Sequence, residues 1–251
     1  MTVISALNER GYDAAVVNYN LGPENSAGGQ AEEVREAGRR VVEVRAAMTL
    51  PTIIARVLFL VPNPTLFRYS FRSLQVSGGK DLVVVGHSSG AHVGLLSVLM
   101  GGNEGDPWVS GFVGLGGVYD VCMHYDYEAR RGLEQLSPMQ PACGYTRERM
   151  RENGAREVWE MGRRGGGRRE RKLDLVFLHG VEDTTVPFTQ SKMAADFFRT
   201  VDLGGGRVEE IYGLWDHQRP AIDWCFGGEC LDRVLDVLHG GRKGATGRSK
   251  L

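Results

Sequence analysis

"DLVVVGHSSGAHVGLL", residues 81–96, decides how the rest of the chain is read. Residues 82–85 are a short continuous apolar run, the pattern of a strand buried on both faces of a parallel sheet. Residues 91–100 form helix and are apolar nearly all round. Between them, Gly86-His87-Ser88-Ser89-Gly90 must turn the chain from strand to helix within a few residues. Such a turn forces its central residue into strained backbone geometry, while flanking glycines allow close approach without a Cβ clash. Ser88 is thereby lifted clear of the sheet as a candidate nucleophile, with Gly86, His87 and Gly90 completing the elbow. The Ser89 N–H, at the helix start, points toward developing negative charge as an oxyanion donor. The bland alternative is a serine in an ordinary turn. G-x-S-x-G arises readily by chance in a chain with 35 glycines, so it is the strand before and the helix after that favour the nucleophile.

At 251 residues the chain can bury a full core as one domain, spanning 1–240. With 24% charged residues and a formal net charge of −1, nothing global points to nucleic acid or to an acidic partner. No apolar segment reaches the roughly 18 residues of a membrane span. The strongest, "TIIARVLFLV" at 52–61, is shorter and carries Arg56. No secretory signal is visible, since "TVISALNERG" reads as the middle of a helix. Cys122, Cys143, Cys225 and Cys230 lack metal-ligand spacing, and reduced, partly buried thiols point to a cytoplasmic setting.

Strands and helices alternate along the chain. Strands are expected at 12–21, 82–85, 111–120, 173–180 and 207–215, and helices at 29–47, 91–100, 189–201 and across much of 221–240. That alternation predicts an α/β fold, a mostly parallel sheet with helices on both faces. Residues 48–79 break the rhythm: the stretch is long, apolar and Pro-interrupted, and reads as a pocket-covering insertion or as a helix resting on a membrane surface through 52–61. Residues 121–172 hold a lid and a basic, glycine-rich linker, and 241–251 a disordered tail.

A nucleophilic serine needs a base, and the base an orienting acid. In open α/β sheets such groups gather at the carboxyl ends of strands. Of six histidines, His87 lies inside the elbow and His92 one turn into the helix, where neither reaches back easily. His179 closes a strand, His239 ends the last helix and His124 lies in an irregular polar stretch. His217, in "GLWDHQRP", follows the last strand on a loop at the correct end. For the acid, "HGVEDTTVP" at 179–187 puts Glu182 and Asp183 in a polar loop just after a strand. Alone, Asp183 could cap a turn and His217 could be a surface histidine. Together, Ser88, Asp183 and His217 each follow a strand, in the chain order of one hydrolase fold.

On these stretches the sequence resembles the α/β-hydrolase superfamily. "NYNLGPE" at 18–24 is similar to its Asn-Tyr-Arg-Leu-x-Pro-Glu strand end, "GHSSGAH" to the elbow, "HGVEDTTVP" to the acid loop and "WDHQ" to the histidine loop. "GHSSGAH" and "HYDYEARRGLEQLSPMQPA" at 124–142 look closer to the kynurenine formamidase and prenylcysteine methylesterase branch. The resemblance implies acyl transfer to water on a small ester or aryl formamide, with Ser88, Asp183 and His217 as the triad and no metal or organic cofactor.

Two departures qualify it. The family's His-Gly-Gly oxyanion loop and the strand before it have no counterpart, which should leave a gap beside the elbow strand. Either the flanking strands close up, or 48–79 fills the space, or the chain is part of a longer protein, and the last is expected. In addition, Asn20 stands where the family usually has Arg. Three functions remain open: a serine esterase, such as a carboxyl methylesterase; an arylformamidase; and a hydrolase-fold protein that binds without turnover. The oligomeric state is not read from the sequence.

Overall fold

The computed structural model describes residues 3–10, 12–21, 24–46, 56–60, 82–101, 106, 108–163, 170 and 172–238. In chain order the elements are α1 (Val3–Asn8), β1 (Asp13–Val17), α2 (Ala27–Ala46), β2 (Arg56–Leu60), β3 (Leu82–His87), α3 (Ser89–Leu99) and β4 (Val109–Leu115). A helical stretch follows, with α4 (Val121–Ala129), a short 3-10 turn (Glu134–Leu136), α5 (Met139–Cys143), α6 (Arg147–Glu152) and α7 (Ala155–Gly162). The chain then forms β5 (Asp174–Gly180), α8 (Thr189–Arg199), β6 (Val208–Gly213), α9 (Arg219–Phe226) and α10 (Glu229–Leu238). The six strands make one sheet in the order β1-β2-β3-β4-β5-β6, and every pairing is parallel.

Side chains alternate across a strand, so each strand feeds two cores. Leu82 and Val84 of β3, Phe112 of β4, and Leu175 and Phe177 of β5 pack on one face against α2, α3, α7 and α8. Val83, Val85, Val113, Leu115, Val176 and Leu178 pack on the other against α1, α9 and α10. This double burial explains why β3 and β5 are continuous apolar runs in the sequence. Ten of the eleven residues of α3 are buried, from Gly90 to Leu99, which accounts for a helix without a polar face.

The expected gap beside the elbow strand is filled. Arg56–Leu60 pairs in parallel with β1 on one side and with β3 on the other, so the backbone groups that a missing strand would orphan are partnered. Residues 56–60, within the 48–79 stretch, supply a strand at that place. These five residues are extended and interior to the sheet, so 56–60 are strand and not the helix that the sequence reading allowed there. The other residues of 48–79 lie outside the described ones, as do 164–169 of the basic linker and the tail 241–251.

Three smaller differences have local causes. Strands β1 and β4 end at Val17 and Leu115, short of the 21 and 120 expected: Val17 pairs with Leu60, where β2 ends, and Gly116 after β4 has φ 55°. The closing helix is two helices: Gly227 has φ 79°, and a Cβ on Gly228 would stand 2.5 Å from the Asp223 carboxylate. Asp223 uses that space to accept the Cys230 N–H at 3.0 Å and the Arg219 guanidinium at 2.7 Å, tying α10 to α9. Finally, Asn20 is not idle where an arginine was expected: its backbone N–H and its side-chain amide both donate to Glu33 of α2, at 2.8 and 2.7 Å.

Candidate active site

The parallel sheet gathers its carboxyl ends on one edge. Gly86 lies beside Leu60 on one side and Gly114 on the other, and His87 beside Leu115. There Ser88 adopts φ 57° and ψ −126°, the one positive φ of a non-glycine among the described residues. Its N–H donates to the Leu115 carbonyl at 2.9 Å, and its own carbonyl accepts from Ala91 and His92, starting α3 at once. The strain is thus held by hydrogen bonds on both sides of the residue. Ser89 opens α3, where a first-turn N–H lacks an intrahelical acceptor.

Gly86 has no alternative. A Cβ there would stand 2.3 Å from the Gly90 carbonyl oxygen and 2.6 Å from the Ala91 nitrogen, both backbone atoms of the helix that follows. Gly86→Ala should therefore cost about 3 kcal/mol or more of stability, since no side-chain rotation relieves the clash. Urea unfolding measures it; a variant as stable as the wild type would contradict the tight elbow.

The three sequence candidates meet. His217 sits on the loop between β6 and α9, with Nε2 3.0 Å from Ser88 Oγ and Nδ1 2.6 Å from Asp183 Oδ2. Ser88 and His217 are 129 residues apart in the chain, so the sheet alone brings them together. Asp183 follows β5, and its Oδ1 accepts the Thr185 and Val186 N–H groups, each at 2.8 Å. Burial alone would raise the Asp183 pKa, but hydrogen bonds from His179 and His217 outweigh it and hold the carboxyl well below the usual range. A carboxylate that stays ionised fixes His217 with its proton on Nδ1, leaving the Nε2 lone pair facing Ser88. Glu182, the neighbouring acid, is exposed and takes no part in this row.

The structure adds two residues whose roles are not legible in the sequence. His87, buried, reaches the His217 backbone carbonyl with Nε2 at 2.8 Å, and the two rings lie 4.7 Å apart. A carbonyl only accepts, so His87 carries its hydrogen on Nε2 and ties the histidine loop to the strand that ends at the serine. Gly116, with φ 55°, leaves open the space where a Cβ would approach Asp183 Oδ2 at 3.3 Å and His217 Nδ1 at 3.4 Å. A side chain there would press on the acid–base hydrogen bond.

His92 is buried with Nδ1 3.2 Å from the Val118 carbonyl, and faces the Cys143 thiol at 3.9 Å. His124, on α4, pairs with Glu128 at 3.3 Å, and His239 lies outside the described residues. All four cysteines are free, and burial pushes the Cys143 thiol up to about 12, away from nucleophilic use. Among the described residues, no group of three or more His, Cys, Asp or Glu could hold a metal ion. An open groove of about 360 Å³ runs along Glu182, Leu214, Trp215, Asp216, Arg219 and Ile222; it borders the acid and histidine loops but includes none of the three site residues.

The buried histidines give the fold an acid sensitivity. Burial is the main force lowering both His87 and His92 to about 4, from 6.5 for the free side chain, and the nearby His217 adds to it for His87. Unfolding exposes both, so the unfolded chain binds more protons between about pH 6.5 and pH 4. Stability is therefore full above that window and falls as pH drops through it, by up to about 3 kcal/mol for each histidine. Urea midpoints near pH 7 and near pH 4.5 test this, and a midpoint no lower in acid would contradict it.

No family model matches the sequence, and no curated protein matches it either. Solved structures do match in fold. Esterase B from Lactobacillus rhamnosis is similar with a TM-score of 0.60 at 11% identity, over 90% of this chain and 64% of that one. An acetyl ester-xyloside bifunctional hydrolase from Caldicellulosiruptor lactoaceticus gives a TM-score of 0.60 at 15% identity, over 95% and 76%. A tributyrin phosphonate form of esterase B gives 0.58 at 11% identity, over 90% and 63%. The chain thus spans just under two thirds of the length of esterase B. At these identities the likeness is one of fold, and the fold is that of the α/β-hydrolases. Among the described residues, no helix is long and apolar enough to cross a membrane.

Proposed function

We propose that the chain is a serine hydrolase that cleaves a carboxylic ester through an acyl-enzyme. One observation carries the reading: a strained serine at the carboxyl edge of the sheet, hydrogen-bonded through His217 to an ionised Asp183. That two fold neighbours are an esterase and an acetyl ester hydrolase supports it.

In this reading Ser88 Oγ attacks the ester carbonyl carbon as His217 Nε2 takes its proton. The carbonyl electron pair moves to oxygen, and the Ser89 N–H stabilises the charge. Asp183 holds the imidazolium in place. Collapse expels the alcohol, which leaves with the proton from His217, and the acyl group remains on Ser88. Water then attacks, giving its proton to His217, and the carboxylic acid departs as Ser88 recovers its hydrogen. No step calls on a metal or an organic cofactor.

The partner is a small-molecule ester. The finer assignment, supported by "GHSSGAH" and the 124–142 stretch, is a carboxyl methyl ester, with an aryl formamide as the alternative. A panel of acyl esters, carboxyl methyl esters and aryl formamides, run beside Ser88→Ala, tests the reading. Serine-dependent turnover of esters above formamides supports it; preference for formamides moves the assignment to the amide; no turnover of any by folded protein points to a hydrolase fold that only binds.

A further inference from the structure

The histidine set aside as a base is built into the acid. His179, the penultimate residue of β5, is fully buried, with Nδ1 2.7 Å from Ser191 Oγ of α8 and Nε2 2.9 Å from the Val186 carbonyl. The same Nε2 lies 3.2 Å from Asp183 Oδ2, the oxygen that accepts from His217. The Val186 carbonyl can only accept, so Nε2 carries the hydrogen and shares it with Asp183. Nδ1 is then free to accept the Ser191 hydroxyl, itself fully buried. A continuous row results: Ser191, His179, Asp183, His217, Ser88.

We propose that His179 is a positioning residue for the acid–base pair, donating through Nε2 to Asp183 Oδ2 so that this oxygen stays aimed at His217 and part of its charge is drawn away from it. The proposal rests on the reading of Ser88, His217 and Asp183 as the reacting groups, and it adds a residue that touches none of the reacting atoms. Oδ1 is occupied by two backbone amides, so Oδ2 alone divides its charge between two imidazoles. A second donor on one oxygen weakens its pull on the first. His179 thereby moderates how strongly Asp183 stabilises protonated His217, and so tunes the basicity of the group that deprotonates Ser88.

The surroundings are few. The titratable groups nearest His217 are Asp183 from the β5 loop and His87 from β3, while Asp216 beside it in the chain is engaged with the Gln218 and Arg219 amides. Around His179 stand Asp183 and Ser191, with Tyr119 bordering Ser191.

Two substitutions separate positioning from bulk. In His179→Asn the amide oxygen takes the place of Nδ1 and can accept the Ser191 hydroxyl, but nothing replaces Nε2–H. In His179→Gln the amide nitrogen takes the place of Nε2 and keeps the donor to Asp183. With the whole chain, His217 is titrated by NMR of its ring and kcat/KM is followed against pH on the best ester. The Asn variant should raise the His217 pKa by about one unit and lower kcat/KM about tenfold to a hundredfold, with the acidic limb of the profile moving up in step. The Gln variant should recover most of both. An active wild type whose Asn variant keeps its His217 pKa and its rate overturns the proposal alone, as does equal loss in both variants with no pKa movement, the mark of a purely structural role. A wild type that leaves esters and a serine-directed probe untouched overturns the reading of Ser88 and any catalytic role for His179 with it.

Discussion

Ser88→Ala should lower kcat/KM on the preferred ester by about a millionfold. The substitution removes the oxygen that stands 3.0 Å from His217 Nε2 and leaves the base with nothing to deprotonate. Residual turnover would come from binding and from the oxyanion donor alone. The fold should survive, because Ala at φ 57° is no more strained than Ser. Ser88→Gly sharpens the point. Glycine accepts that conformation freely, so the variant should be as inactive as Ser88→Ala yet more stable than wild type by about 1–3 kcal/mol. Steady-state kinetics with urea unfolding of the three proteins measures both effects. Equal activity in the alanine variant would remove Ser88 from the chemistry, and a glycine variant no more stable would mean that the elbow stores no strain.

Asp183→Asn should cost about 10⁴-fold in kcat while leaving substrate binding nearly intact. Every hydrogen bond at this carboxylate is received: two amides at Oδ1, and His217 and His179 at Oδ2. An asparagine must turn its NH2 toward one of these pairs of donors. Facing His217, it demands that Nδ1 accept, which moves the ring hydrogen to Nε2 and takes away the lone pair that Ser88 needs. Facing Thr185 and Val186, it opposes two buried N–H groups and destabilises the loop. Either way the base is lost or the loop is loosened, and the pH–rate profile with the variant's urea midpoint tells which. A variant with wild-type kcat would show that Asp183 merely shapes the loop.

How much of this was legible in the sequence follows from what each residue touches. Strands β3 and β5 stood out because both their faces are buried, which writes an unbroken apolar run between turn residues. Ser88, Asp183 and His217 could be found because each comes just after a strand, and a parallel sheet brings those places to one edge. Strand β2 was not legible: four apolar residues after Arg56, inside a Pro-interrupted stretch, carry no period that separates strand from helix. Its placement depends on the vacancy between β1 and β3, a property of the sheet and not of 56–60. His87, Gly116 and His179 escaped for a similar reason. His87 reaches a loop carbonyl far along the chain, and Gly116 matters through an empty space. His179 meets Asp183 only because the loop after β5 folds back on the strand, which the sequence does not spell out. Gly227-Gly228 is the opposite case, a local helix break visible in the sequence and passed over because apolar positions continue on both sides.

The central claim is that Ser88 is an activated nucleophile, and covalent labelling tests it most directly. The folded chain is incubated with a fluorophosphonate probe near neutral pH, and the adduct is located by mass spectrometry, with Ser88→Ala and His217→Ala alongside. Rapid, stoichiometric modification on Ser88, absent from the first variant and strongly slowed in the second, is the predicted result. A folded wild type that takes no label at Ser88, or takes it equally fast without His217, would contradict the account.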